Sequence, residues 1–257
     1  MLQAKEISWS RNGSSLLTDI TLNLEPGKLN LVIGPNGAGK SSLIKIFSGW
    51  LSPDKGSIWY GDRALNTISP GELASMRGVL SQQTELAFPM KVKDVVMMGR
   101  YAHFSYRPDD KDLEIVNEMM QLFSITHLAE RNFITLSGGE KQRVHFARVL
   151  TQVWHANENE IRYLFLDEPF TFLDIYYQYE FMRILTGLLS TRQLVVIGVI
   201  HDLNLAARFG HHIILLHGGR LIAEGNPSSV LTSAHIGVVF GLTPVIREDN
   251  GQLTINF

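Results

Sequence analysis

The run Gly34-Pro35-Asn36-Gly37-Ala38-Gly39-Lys40-Ser41 follows directly on Leu29-Asn30-Leu31-Val32-Ile33. The short apolar run reads as a strand, the glycines end it, and the residues from Lys40 onward restart as a helix. Strand, glycine loop and helix in that order leave a chain few ways to fold. Glycines let successive backbone N–H groups curl around phosphate oxygens, and the following helix presents its N-terminus to the same negative charge. The run matches G-x-x-x-x-G-K-[ST], which places Lys40 within reach of β- and γ-phosphates and the Ser41 hydroxyl where a Mg²⁺ ion is held.

Three further apolar runs repeat the pattern. Tyr163-Leu164-Phe165-Leu166 ends at Asp167, Leu194–Ile200 ends at His201, and His212–Leu216 ends in the turn His217-Gly218-Gly219. Alternation of such runs with longer helix-like stretches predicts an α/β fold with a largely parallel sheet covered on both faces. Ligands of such sheets bind beyond the carboxyl ends of the strands, which directs attention to the residues ending the runs. The first 25 or so residues alternate more loosely and predict an antiparallel meander, with a turn supplied by Ile58–Asp62. From Val92 to Leu136 the spacing is helical, with Leu113, Val116, Met120 and Phe123 on one stripe. The methionines concentrated here (Met90, Met97, Met98, Met119, Met120) read as core filling, with a pliable docking surface as the alternative. Trp154–Ile161 reads as a surface loop and Gly241–Phe257 as a short closing hairpin.

Composition removes several function classes. The 257 residues carry 23 Lys+Arg against 25 Asp+Glu, a formal charge of -2, without the basic footprint expected of a nucleic-acid binder. There is no cysteine, hence no disulfide, thiolate zinc site or cysteine nucleophile. No apolar run approaches the roughly 20 residues of a spanning helix, and Met1–Glu6 opens no apolar leader. The expectation is a protein that stays inside the cell, with docking onto a membrane protein left open. Nine histidines form no H-E-x-x-H and no pair at i, i+4, the spacings that would suggest a metal or haem site; His211, His212 and His217 fall on a strand and its turn, and His103 in a loop.

Leu166-Asp167-Glu168-Pro169 sets paired carboxylates at a strand end, with Asp167 placed to hold Mg²⁺ and Glu168 to polarise an attacking water. In Leu136-Ser137-Gly138-Gly139-Glu140, Ser137 and Glu140 have the spacing of a capping box at the start of a helix. Taken together, the glycine-lysine loop, Leu-Ser-Gly-Gly-Glu, Leu-Asp-Glu-Pro and His201 resemble, in kind and order, the ATP-binding subunit of ABC transporters. The resemblance covers nearly the whole chain.

That resemblance implies a P-loop NTPase (RecA-like) core with an N-terminal antiparallel β meander and an inserted α-helical subdomain. It implies one ATP-binding domain over 1–257, with a core at about 1–88 and 150–235, a helical subdomain at about 89–149 and a C-terminal extension at about 236–257. ATP and Mg²⁺ are the implied ligands. Gly34, Pro35, Asn36, Gly37, Ala38, Gly39, Lys40, Ser41 and Ser42 are the implied nucleotide-binding residues, Ser41, Gln82 and Asp167 the Mg²⁺ contacts, and Glu168 and His201 the catalytic pair. A second copy paired head to tail would bring its Ser137, Gly138, Gly139 and Glu140 to the γ-phosphate, with Asp174 in the D-loop and Gln82 coupling to the membrane. Further implied partners are two transmembrane permease subunits and a substrate-binding protein, with the chain peripheral on the cytoplasmic face of the inner membrane.

Within the family, Leu86-Ala87-Phe88-Pro89, Val92–Arg100 and His201–Ala207 resemble the branch that serves iron-chelate, cobalamin and haem importers. Gln152-Val153-Trp154, the polar loop to Arg162 and Leu173-Asp174-Ile175-Tyr176 resemble its haem importers, which makes haem the expected cargo and ferric siderophore or cobalamin the alternative. A soluble, non-transport ATPase of the same family is the remaining reading. Two departures stand out. Phe170-Thr171-Phe172 sets two phenylalanines near the expected dimer seam, and either Arg11 or Trp9 occupies the place of the usual adenine-stacking aromatic.

Overall fold

The computed structural model describes residues 1–81, 88–154, 160–191, 193–249 and 251–257. Its strands are β1 (Leu2–Arg11), β2 (Ser14–Leu24), β3 (Leu29–Ile33), β4 (Lys55–Tyr60), β5 (Arg63–Ala64), β6 (Arg77–Leu80), β7 (Arg162–Asp167), β8 (Leu194–Val199), β9 (His212–His217), β10 (Arg220–Gly225), β11 (Val245–Asp249) and β12 (Gln252–Asn256). Its helices are α1 (Lys40–Phe47), α2 (Pro70–Met76), α3 (Val92–Met97), α4 (Asp110–Leu122), α5 (Gly138–Val153), α6 (Ile175–Thr191), α7 (Leu203–Phe209), α8 (Pro227–Val230) and α9 (Ser233–Phe240).

The central sheet has the order β10-β9-β3-β8-β7-β6, parallel throughout except for the β9–β10 hairpin. Side chains alternate along its strands between two apolar layers. Tyr163, Phe165, Val195, Ile197 and Val199 join α1 and the antiparallel sheet, while Leu164, Leu166, Leu194 and Val196 face the helices on the other side. Burial on both faces explains why these strands read as continuous apolar runs. It also fixes where they end, because the first polar residue lies at the carboxyl edge of the sheet.

The N-terminal strands form an antiparallel sheet of order β2-β1-β4-β5. β4 reaches the free edge of β1 only after the chain has passed through β3 and α1, so the expected meander is interleaved with the core. α1 lies between the two sheets, burying Leu43, Ile44, Ile46 and Phe47. The stretch with helical spacing becomes α3, α4 and short 3-10 turns packed on α5.

Two expectations fail here. The buried face of α4 is Asp112, Ile115, Val116, Met119 and Met120, whereas Leu113 is 47% exposed. Asp112 takes the inner place because buried Arg100 donates to its carboxylate at 2.8 Å, an ion pair that apolar periodicity cannot register. Trp154 is buried rather than part of a surface loop; its indole N–H donates to Glu118 at 2.7 Å. The rest of the expected loop lies largely outside the described residues. Met119 and Met120 are core residues, and Met90 and Met97, partly buried, pack against the same core. The C-terminal residues form the expected hairpin, β11–β12.

Candidate active site

β3 delivers the chain to the glycine loop and α1 carries it away. At Gly34 a side chain would collide with the Leu216 carbonyl on β9. Gly39 caps α1 with φ +96°, and a Cβ there would lie 2.7 Å from Leu17 Cδ2. Both glycines are therefore required by close packing as well as by backbone conformation. Lys40 folds back over the loop, donating to the carbonyls of Gly34 at 2.8 Å and Pro35 at 2.9 Å. Burial pushes its ammonium down from the ordinary lysine value, while Glu168 and Asp167 oppose the shift.

Asp167 ends β7, buried. Ser41 Oγ donates to its Oδ1 at 2.9 Å, joining the start of α1 to the strand end. Burial raises the Asp167 pKa, the Ser41 bond counters it, and neighbouring Glu168 adds to the rise. Glu168 itself has φ +51°, a left-handed conformation that costs a non-glycine residue about 1 kcal/mol. That turn swings its carboxylate to 3.0 Å from His201 Nε2. His201 follows β8, its side chain 49% exposed, and Asp202 caps α7 immediately after it by accepting from the amides of Asn204 and Leu205.

Ser137 to Glu140 stand on a different element. Ser137 caps α5, and a full capping box is present. Ser137 Oγ and N–H both donate to the Glu140 carboxylate, at 2.9 and 2.8 Å, and the Glu140 amide donates back to Ser137 Oγ at 3.3 Å. These bonds hold the Glu140 carboxyl below its ordinary value. Ser137 and Gly138 are exposed.

Asp174 caps α6, accepting from the Tyr177 amide at 3.1 Å. The two phenylalanines separate. Phe170 is half-buried, edge-on to Phe181 with centroids 5.8 Å apart, and packs against the core. Phe172 is 75% exposed with φ +74° and packs close against Gly138. Gln82 lies outside the described residues. Trp9 is half-buried and paired with Leu17, and Arg11 is exposed at the end of β1. His103 Nε2 donates to the Gln152 carbonyl at 2.7 Å, a structural bond.

One link escaped the sequence. Gln142, a turn into α5, donates its amide to the Pro169 carbonyl and ties the Ser137 helix to the strand end that carries Glu168. Its only signal was its place three residues after Gly139. A cavity of about 400 Å³ opens at the starts of β7 and β8 and is lined by none of these site residues.

The donor set suits a hard cation. A serine hydroxyl and a carboxylate oxygen 2.9 Å apart are both ligands that Mg²⁺ accepts. Among the described residues no group of three or more His, Asp or Glu is placed to hold a metal. Mg²⁺ ordinarily takes one or two protein oxygens and fills its other positions with phosphate and water, so this pair fits such an ion.

The family model described as "ABC transporter" matches residues 17–171. The chain belongs to the ABC transporter family. It is an ATP-binding, ATP-hydrolysing member. A hemin import ATP-binding protein of Agrobacterium fabrum is 41% identical over 247 residues, covering 96% of this chain and 93% of the relative. An ABC transporter described as of metal-chelate type, in an inward-facing conformation, superposes with a TM-score of 0.82 at 24% identity, covering 100% of this chain and 96% of the neighbour. A dimeric ATP-binding cassette bound to ADP and Pi superposes with a TM-score of 0.75 at 24% identity, covering 88% of this chain and 99% of that one. These structures share the ABC ATPase fold seen here, an α/β P-loop core with an antiparallel sheet. No helix among the described residues is long and apolar enough to cross a membrane.

Proposed function

We propose that this chain is the ATPase subunit of an ABC importer of haem, seated peripherally on the cytoplasmic face of the inner membrane beneath two permease subunits and served by a substrate-binding protein. The observation that carries the enzymatic part is the meeting of three strand ends. Lys40, Ser41–Asp167 and Glu168–His201 converge where β3, β7 and β8 finish. The name of the Agrobacterium relative supports haem as cargo.

In this reading residues 34–42 wrap the nucleotide phosphates, and Lys40 exchanges its two carbonyl partners for phosphate oxygens. Ser41 and Asp167, with Gln82, hold Mg²⁺, which neutralises phosphate charge. Glu168 takes the proton of the attacking water, and His201, bonded to Glu168, orients that carboxylate and meets the γ-phosphate. Ser137, Gly138 and Gly139 of a second copy close the site from the other side, since their own helix aims its exposed N-terminus outward. The Gln142–Pro169 bond couples that helix to the chain's own strand end. Asp174, capping α6 beside the seam, holds the D-loop in register. Residues 89–149 act as the helical subdomain that meets the permease, with 1–88 and 150–235 as core and 236–257 as extension.

The test is growth of the host on haem as sole iron source, with ferric siderophore in a parallel culture, in strains carrying Lys40→Ala or Glu168→Gln. Failure on haem alone is expected. Normal growth on haem with failure on siderophore would overturn the cargo and favour the second reading, a ferric-siderophore importer.

A further inference from the structure

α7 is seven residues long and begins two residues after His201. A helix so short has little stability of its own and keeps its position through packing. Its most extensive packing partner is β12, the last strand of the chain. The contact is specific as well as apolar. Asn204 donates its side-chain amide to the Ile255 carbonyl at 3.0 Å and accepts from the Ile255 N–H at 2.8 Å. One side chain thus satisfies both main-chain groups of Ile255, as a neighbouring strand would. The pairing spans 51 residues. Leu253 and Ile255 beside it are buried, and Ile255 belongs to the same apolar layer as Leu203, Leu205 and Ala206 of α7.

We infer that Asn204 is a positioning residue for hydrolysis, using the C-terminal hairpin as a brace that holds His201 against Glu168. This inference rests on the catalytic reading of His201 given above. The chain is held on both sides of His201. Before it, the Ile200 amide donates to the Val32 carbonyl of β3 at 3.3 Å. After it, Asp202 caps α7, and α7 is fixed by the hairpin. The His201 side chain is half exposed and the bond to Glu168 is the contact that orients it, so a small swing of α7 would lengthen that bond without disturbing the phosphate loop. Positioning of this kind appears in kcat, because misplacement of a reacting group by a fraction of an ångström costs rate rather than affinity.

The experiment is steady-state ATP hydrolysis by the full-length chain carrying Asn204→Leu, which keeps the side chain's bulk and removes both bonds to Ile255. Asn204→Ala serves as a second variant, His201→Ala as the reference, and the melting temperature is recorded for each. We expect Asn204→Leu to lower kcat about 5- to 10-fold with KM for ATP unchanged within about twofold, and amide exchange at Ile255 to quicken. Unchanged kcat in both Asn204 variants, with His201→Ala impaired, would overturn the inference and leave the proposed function standing. A parallel fall in kcat, rise in KM and loss of melting temperature would overturn it too, reducing Asn204 to a fold element. Full activity of His201→Ala would instead sink the catalytic reading on which the inference depends.

Discussion

Lys40 and Asp167 are buried at the ends of strands covered on both faces, whereas Ser137 and Gly138 stand exposed at the start of α5. The first region is assembled from three elements, desolvates its charges and includes Glu168 in a left-handed conformation. The second is local, a helix end whose capping box satisfies its own serine and glutamate. One is held in tension by the fold and the other rests in it. Under the proposed function, the contrast assigns the two halves of the site to different copies. In that reading the strand-end cluster, with neighbouring carboxylates and a left-handed Glu168, is relieved by a bound cation, and the exposed N-terminus of α5 offers its dipole to the nucleotide of the other copy.

The largest effect that could break this contrast is at Glu168. Glu168→Gln removes the proposed proton acceptor while keeping size and the hydrogen bond toward His201, so hydrolysis should fall by about 100-fold or more. ATP should then accumulate in a closed pair, seen as an ATP-dependent dimer on gel filtration. A monomer that persists at saturating ATP would mean that the exposed helix end of α5 does not meet a second copy's nucleotide.

Mixing two inactive variants gives an intermediate effect. Lys40→Ala spoils the strand-end half and Gly138→Asp the helix-end half, where even a Cβ would lie 3.2 Å from Phe172 Cβ. If each site draws one half from each copy, an equal mixture forms pairs half of which hold one intact site. Hydrolysis should recover to about a quarter of the unmodified rate. Absence of recovery would place both halves within one chain.

Much of the strand-end half was legible because burial on both sheet faces writes strands as apolar runs and marks their ends with Gly34, Asp167 and His201. The capping box at Ser137 was legible because its partners are three residues apart. Relations between distant polar groups were not. The inward turn of Asp112 depends on Arg100, the burial of Trp154 is accompanied by its bond to Glu118, and the role of Asn204 depends on a strand at the far end of the chain. A sequence displays the polarity of each residue and hides its partner, so an inward-facing aspartate was displaced in the reading by an apolar but exposed Leu113.

The smallest expected effect tests the contrast through its sign. Asp167 has a raised pKa, caused first by burial, so the folded state binds a proton more readily than the unfolded chain. Its charged form is a cost to folding, present in full above the raised value and relieved as pH falls through that value toward 3.8. Glu140 has a lowered pKa, caused first by the Ser137 backbone bond, so its charge contributes stability above 4.5 that is lost as pH falls through the folded value. At pH 7, Asp167→Asn should therefore raise the melting temperature and Glu140→Gln should lower it, each by about 1–2 °C once solvent screening is allowed for. Both differences should shrink as the solution is acidified, for Asp167 as its carboxyl gains a proton and for Glu140 as its own does. Melting curves of the two variants against the unmodified chain between about pH 3 and 7 measure this directly. Opposite signs would show that the strand-end half gives up stability to hold its charges while the helix-end half gains from its own; shifts of one sign would show that the two halves are built on the same electrostatic terms.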